Sequence, residues 1–69
     1  MNDNQREILL PLRVDIQNKF KYLQRARDLN AQPNVLVAIR RKIYQAQDKL
    51  LEESVKLNFS CPSSWYNGK

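Results

Sequence analysis

A single break in helical periodicity, at residues 30–34, divides the first 57 residues of this chain into two long stretches. On both sides of the break, apolar side chains recur every three or four positions, which is typical of amphipathic helices and not of strands. Outside the break, Pro11 is the only proline in these stretches, and they contain no glycine. Helices joined by a short turn pack as antiparallel neighbours, so the pattern predicts an all-α helical hairpin.

The first helix is predicted over about residues 4–30. Asn4 is a favourable N-cap, and Glu7 completes a capping-box pattern three residues later. Pro11 removes a backbone hydrogen bond and clashes with the preceding turn. Either one helix is kinked at Pro11, which we favour, or the helix begins at Pro11 after a separate turn over residues 4–10. The apolar stripe, interrupted by Lys19, consists of Leu9, Leu12, Ile16, Phe20, Leu23 and Ala26.

The second helix is predicted over about residues 33–57. Asn30 tolerates the left-handed conformation that often ends a helix, and Pro33 suits the first position of the next one. The periodicity is heptad-like, and Glu53 and Ser54 weaken one step of it. Its apolar members are Leu36, Ile39, Ile43, Ala46, Leu50 and Leu57.

Residues 58–69 lack the helical periodicity of the preceding residues. The chain is therefore divided into a hairpin over residues 1–57 and a C-terminal tail over residues 58–69. The tail contains Phe59, Trp65 and Tyr66, half of the six aromatic residues in the chain. We expect this non-helical tail to be ordered and to dock its aromatic side chains on the hairpin or on a neighbouring molecule.

A two-helix domain of this size has a marginal hydrophobic core and needs further stabilisation. Cys61 is the only cysteine and the chain has no histidine, so neither an internal disulfide nor a typical zinc site is available. We therefore expect a homodimer, with a four-helix bundle as its simplest closed form, or a larger protein partner.

The chain also has more apolar positions than one hairpin can bury. The candidates for a dimer or partner interface are Leu10, Val14, Val37, Tyr44, Leu51, Phe59, Trp65 and Tyr66. Such a surplus is typical of an interaction surface. The alternatives are that these residues are ordinary exposed apolar side chains, or that the aromatic tail covers them.

The charge is concentrated near the predicted turn. The chain carries 12 basic and 7 acidic residues, a net charge of +5. Between residues 19 and 42, seven basic residues face one carboxylate, whereas the remaining hairpin residues carry four basic and six acidic groups. The basic turn-end residues are Lys19, Lys21, Arg25, Arg27, Arg40, Arg41 and Lys42. This end suits an acidic protein surface or nucleic acid, or it is a solvated face that assists dimer assembly.

No pattern in the sequence indicates catalysis, a metal site or a cofactor. With no histidine base and no glycine-rich loop, the chain is expected not to be an enzyme. The favoured function is a protein–protein interaction module, such as an inhibitor, adaptor, co-chaperone or assembly factor. The alternatives are a dimeric nucleic-acid-binding regulator and a structural subunit of a larger assembly. Lacking a signal-like segment or a membrane-length apolar run, the chain is expected to be cytoplasmic.

Overall fold

The computed structural model describes residues 2–67 and confirms the predicted all-α hairpin. Helix α1 spans Asp3–Asp28, helix α2 spans Pro33–Lys56, and a short 3-10 turn follows at Ser63–Trp65. The two helices pack side by side in an elongated molecule of 41 × 17 × 15 Å. No strand occurs within the described residues.

Helix α1 begins at Asp3, with Asn2 as its N-cap, so the predicted cap at Asn4 with Glu7 is wrong. The Asn2 side chain accepts from the Gln5 backbone N–H at 2.8 Å, and the Gln5 side chain accepts from the Asn2 N–H at 3.0 Å. The Gln5 amide also donates to the Leu57 carbonyl at 2.8 Å, beyond the end of α2. This tertiary hydrogen bond favours the earlier of two caps that look equivalent in sequence.

Pro11 lies inside a continuous helix, so the alternative of a separate turn over residues 4–10 is wrong. The proline deprives the Glu7 carbonyl of its helical donor. Both residues are exposed, so water can hydrate that carbonyl. Burial of Leu9, which is 0% exposed, fixes the turn that precedes the proline.

A left-handed asparagine follows each helix. Asn30 has φ of 56°, as the sequence predicted, and the Ala31 N–H donates to the Ala26 carbonyl at 2.9 Å. Asn58 has φ of 53°, and the Phe59 N–H donates to the Ser54 carbonyl at 2.9 Å. These hydrogen bonds satisfy carbonyls that a helix end otherwise leaves without a donor.

The core consists of two buried clusters along the hairpin. The cluster near the turn is formed by Leu23, Ile39 and Ile43, and the cluster at the open end by Leu9, Ile16, Leu50 and Trp65. Phe20 packs against both clusters. All six helical members of these clusters belong to the predicted stripes, so the inward faces of both helices were identified correctly.

Ser54 is a core residue, although the apolar pattern of the sequence indicates a weak step in the stripe at this position. It is 2% exposed, and its hydroxyl donates to the Leu50 carbonyl at 2.7 Å. A serine can occupy this position because the preceding turn of its own helix satisfies the hydroxyl.

The tail folds back over the open end of the hairpin. Trp65 is 8% exposed, and its ring centroid lies 5.2 Å from that of Phe59. The Arg13 guanidinium lies over the Trp65 ring at 4.9 Å, and the Gln47 side chain donates to the Tyr66 carbonyl. The segment predicted as non-helical thus includes one 3-10 turn; its last two residues, 68 and 69, lie outside the described part of the chain.

Candidate interaction surfaces

The tail packs on one face of the hairpin at its open end, and we call the opposite face the open face. Arg13 on α1 and Gln47 on α2 contact the tail. Tyr22 and Ala38 lie nine residues away from them on the same helices, which is about 180° around each helix axis. The open face therefore contains Tyr22 and Ala38.

A groove runs along this open face near the turn. It has a volume of about 500 Å³ and adjoins a second hollow of about 340 Å³, with Tyr22 and Val35 lining both. Tyr22 is 63% exposed and Val35 is 41% exposed, so both stand out from the surface. We call the two hollows together the turn-end groove. Its other lining residues are Asn18, Lys19, Arg25, Ala26, Leu29, Ala31, Asn34, Ala38, Ile39 and Lys42.

The charged residues that line the turn-end groove are all cationic. They are Lys19, Arg25 and Lys42, and the lining contains no carboxylate. Lys19 forms an ion pair with Asp15 at 2.6 Å. Within residues 2–67, neither Arg25 nor Lys42 is in an ion pair. These two cations at the rim of the turn-end groove are therefore available to a bound group.

The structure brings the predicted basic residues to one end of the molecule but distributes them over different faces. Lys19, Arg25 and Lys42 line the turn-end groove, whereas Arg40 and Arg41 line a hollow on α2 with Val37 and Tyr44. Lys21 and Arg27 are exposed and line neither surface. The turn end therefore has several separate cationic surfaces.

The predicted apolar interface residues fall into two groups of four. Trp65 is a member of the open-end cluster, and Leu10, Phe59 and Tyr66 pack against that cluster. Val14, Val37, Tyr44 and Leu51 remain in contact with solvent, at 50, 51, 60 and 40% exposure. The second group therefore forms apolar surface that the hairpin and the tail do not bury.

Three exposed, large apolar residues of the turn-end groove are absent from the interface candidates that the sequence predicts. Tyr22, Leu29 and Val35 are all markedly exposed, and Leu29 reaches 74%. Tyr22 and Leu29 are spaced by seven residues, so they repeat on one helix face, and this spacing was a usable signal. Val35 lies in the other helix, and only the hairpin geometry brings it beside Tyr22.

Cys61 packs against the open-end cluster and behaves as a small apolar side chain. Burial raises the pKa of its thiol, whereas the Ser54 hydroxyl and the nearby Arg13 charge act in the opposite direction. The net effect favours the neutral thiol, which is the less nucleophilic form.

Among residues 2–67, no group of three His, Cys, Asp or Glu side chains is placed to hold a metal ion. Neither helix has an apolar stretch long enough to cross a bilayer.

No family model matches the chain, and comparisons with curated proteins and with solved structures find no significant match. A functional proposal for this chain therefore rests on the geometry and charge of its own surfaces.

Proposed function

We propose that this chain is a small non-catalytic protein–protein interaction module. Its partner is a protein that places an amphipathic helix in the turn-end groove, with apolar side chains against Tyr22 and Val35 and carboxylates beside the rim. This combination suits helix-in-groove recognition, in which apolar anchors supply affinity and charges fix orientation.

The observation that carries the proposal is an exposed apolar lining whose charged members are all cationic. Tyr22 and Val35 are held apart from the core, while Arg25 and Lys42 flank them without a carboxylate in the lining. Cations of this kind attract an acidic partner and disfavour a basic one.

Site-specific photocrosslinking tests the groove directly. Benzoylphenylalanine replaces Tyr22, an aromatic for an aromatic, and the matched control carries it at Gln24. Gln24 is also exposed, and its position two residues on is about 160° around the helix. We expect crosslinking from position 22, and not from position 24, to a protein segment with an acidic amphipathic helix pattern.

A charge-reversal variant then shows whether the crosslinked protein binds in the turn-end groove or only contacts position 22 by chance. Arg25→Glu with Lys42→Glu should abolish the crosslink from position 22, because the rim then repels carboxylates. A crosslink to nucleic acid alone, or equal crosslinking from both positions, would overturn the proposal.

A nucleic-acid-binding regulator is the second candidate, and one observation favours it. Tyr22 and Tyr44 are 63% and 60% exposed among the basic residues of the turn end, where bases could stack on them. Trp65, in contrast, is packed into the open-end cluster. Binding to a fluorescent single-stranded oligonucleotide should weaken steeply with added salt if this candidate is correct. A flat titration at low salt would eliminate it.

The homodimer expected from the sequence needs a surface other than the turn-end groove. Two such grooves facing each other would bring Arg25 and Lys42 of both copies together, and like charges repel. A structural subunit of a larger assembly also stays a candidate. It predicts concentration-dependent growth beyond a dimer in sedimentation.

A further inference from the structure

The outer face of α2 carries a second row of apolar side chains that the hairpin does not cover. Val37, Tyr44 and Leu51 are spaced by seven residues, and each is at least 40% exposed. Arg41 and Asp48 alternate with them at steps of four and three, as in the seam of a coiled coil. We call these five residues the outer seam.

We propose that a second copy of this chain packs on the outer seam, with the two α2 helices antiparallel and the twofold axis beside Tyr44. This proposal does not depend on the occupant of the turn-end groove. Lys42 of the groove lies two residues before Tyr44, about 160° around the helix, so the dimer leaves the groove open.

The spacing of the apolar residues is symmetric about Tyr44. In an antiparallel pair with the axis at this residue, Val37 of each copy meets Leu51 of the other, and the two Tyr44 side chains meet each other. A twofold interface must match its own surface in this way. Tyr44 is also the twelfth of the 24 residues of α2, so the two helices overlap along their whole length.

The charges on the outer seam select the same arrangement. In the antiparallel pair, Arg41 of each copy lies beside Asp48 of the other on one flank of the interface. A parallel pair would place Arg41 against Arg41 and Asp48 against Asp48, which is repulsive. Arg41 and Asp48 are seven residues apart, about 10 Å along the helix, so they do not pair within one copy. The surface is therefore complementary to a reversed copy of itself.

Disulfide trapping tests the register in a Cys61→Ser background. Under mild oxidation, Val37→Cys protein mixed with Leu51→Cys protein should give the mixed disulfide, and Tyr44→Cys protein should crosslink to itself. Lys42→Cys is the control, since it lies near the axis but faces away from it. A self-crosslink at position 37 would indicate a parallel pair, and yields no greater than that of the control would overturn the dimer.

Charge exchange gives an independent readout in sedimentation equilibrium. Arg41→Asp and Asp48→Arg should each raise the dimer dissociation constant about tenfold, because each replaces two attractive contacts with repulsive ones. Combining both changes should restore the wild-type value within about threefold. Lys49→Asp, a reversal on another face of α2, controls for net charge. A wild-type protein that stays monomeric, or a double variant weaker than either single variant, would refute the proposal.

Discussion

Trp65 is the residue that joins the tail to the hairpin. It belongs to the same buried cluster as Leu9, Ile16 and Leu50, and the Arg13 guanidinium covers one face of its ring. Replacing a buried tryptophan with alanine removes this packing and leaves a cavity.

We therefore expect Trp65→Ala to lower the free energy of unfolding by about 3–5 kcal/mol, measured by urea denaturation followed by circular dichroism. Tyr22→Ala is the control, with an effect of about 0.5 kcal/mol or less because the side chain is mostly exposed. Equal stability of the two variants would show that the tail does not contribute to the fold.

Cys61 should react slowly with iodoacetamide at neutral pH. Burial raises the pKa of its thiol, so its alkylation rate should reach its midpoint at a higher pH than that of a cysteine in an unfolded peptide. Ser54→Ala should move this midpoint higher still, because the Ser54 hydroxyl lowers the thiol pKa. A midpoint below that of the unfolded peptide would contradict this account.

The same shift has a consequence for stability. A thiol pKa that is raised in the folded state stabilises the folded protein. This stabilisation is fully present at pH values below the pKa that the thiol has in the unfolded chain. The stabilisation declines as the pH rises from the thiol pKa of the unfolded chain to the thiol pKa of the folded protein. The stability difference between wild type and Cys61→Ala should therefore shrink across that interval.

At the scale of helices, Pro11 costs α1 one hydrogen bond without ending it. Pro11→Ala should raise the free energy of unfolding by about 1–3 kcal/mol, because alanine restores the donor for the Glu7 carbonyl. Pro33→Ala is a matched control at the first residue of α2, where a proline loses no intrahelical bond. Thermal denaturation of both variants measures the difference. No stabilisation by Pro11→Ala would mean that this carbonyl is fully satisfied by other means.

The helices were predictable because their apolar spacing and the Asn30 to Pro33 break are local signals. The start of α1 was not predictable, because Asn2 and Asn4 offer similar caps and the hydrogen bond from Gln5 to Leu57 decides between them. The burial of Ser54 was not predictable for a related reason, since its hydroxyl donates to the Leu50 carbonyl, a hydrogen bond that a hydropathy pattern does not show.

The turn-end groove was only partly predictable. Its cations were identified from charge counting, but Tyr22 and Val35 belong to different helices and become neighbours only after the hairpin forms. The sequence alone also did not indicate where the tail packs, which is shown by the contacts of Arg13 with Trp65 and of Gln47 with Tyr66.

At the scale of the whole molecule, the tail completes the hydrophobic core at the open end of the hairpin. A chain ended at residue 57 should lose the cover over Leu9, Ile16 and Leu50. Hydrogen exchange should then accelerate at the open end of both helices more than beside the turn, because the described tail residues pack on the open-end cluster and not on the turn-end cluster. Uniform acceleration along both helices would instead indicate one cooperative unit.

The placement of the aromatic residues gives this molecule a natural optical readout. Trp65, the only tryptophan, belongs to the tail and is buried against the hairpin, whereas Tyr22 and Tyr44 are exposed on two other surfaces. Tryptophan emission therefore follows the docking of the tail, and a red shift marks its release into water. Ligands in the turn-end groove or on the outer seam instead change the emission of the tyrosines. Intrinsic fluorescence can thus separate a partner that occupies a surface from one that displaces the tail.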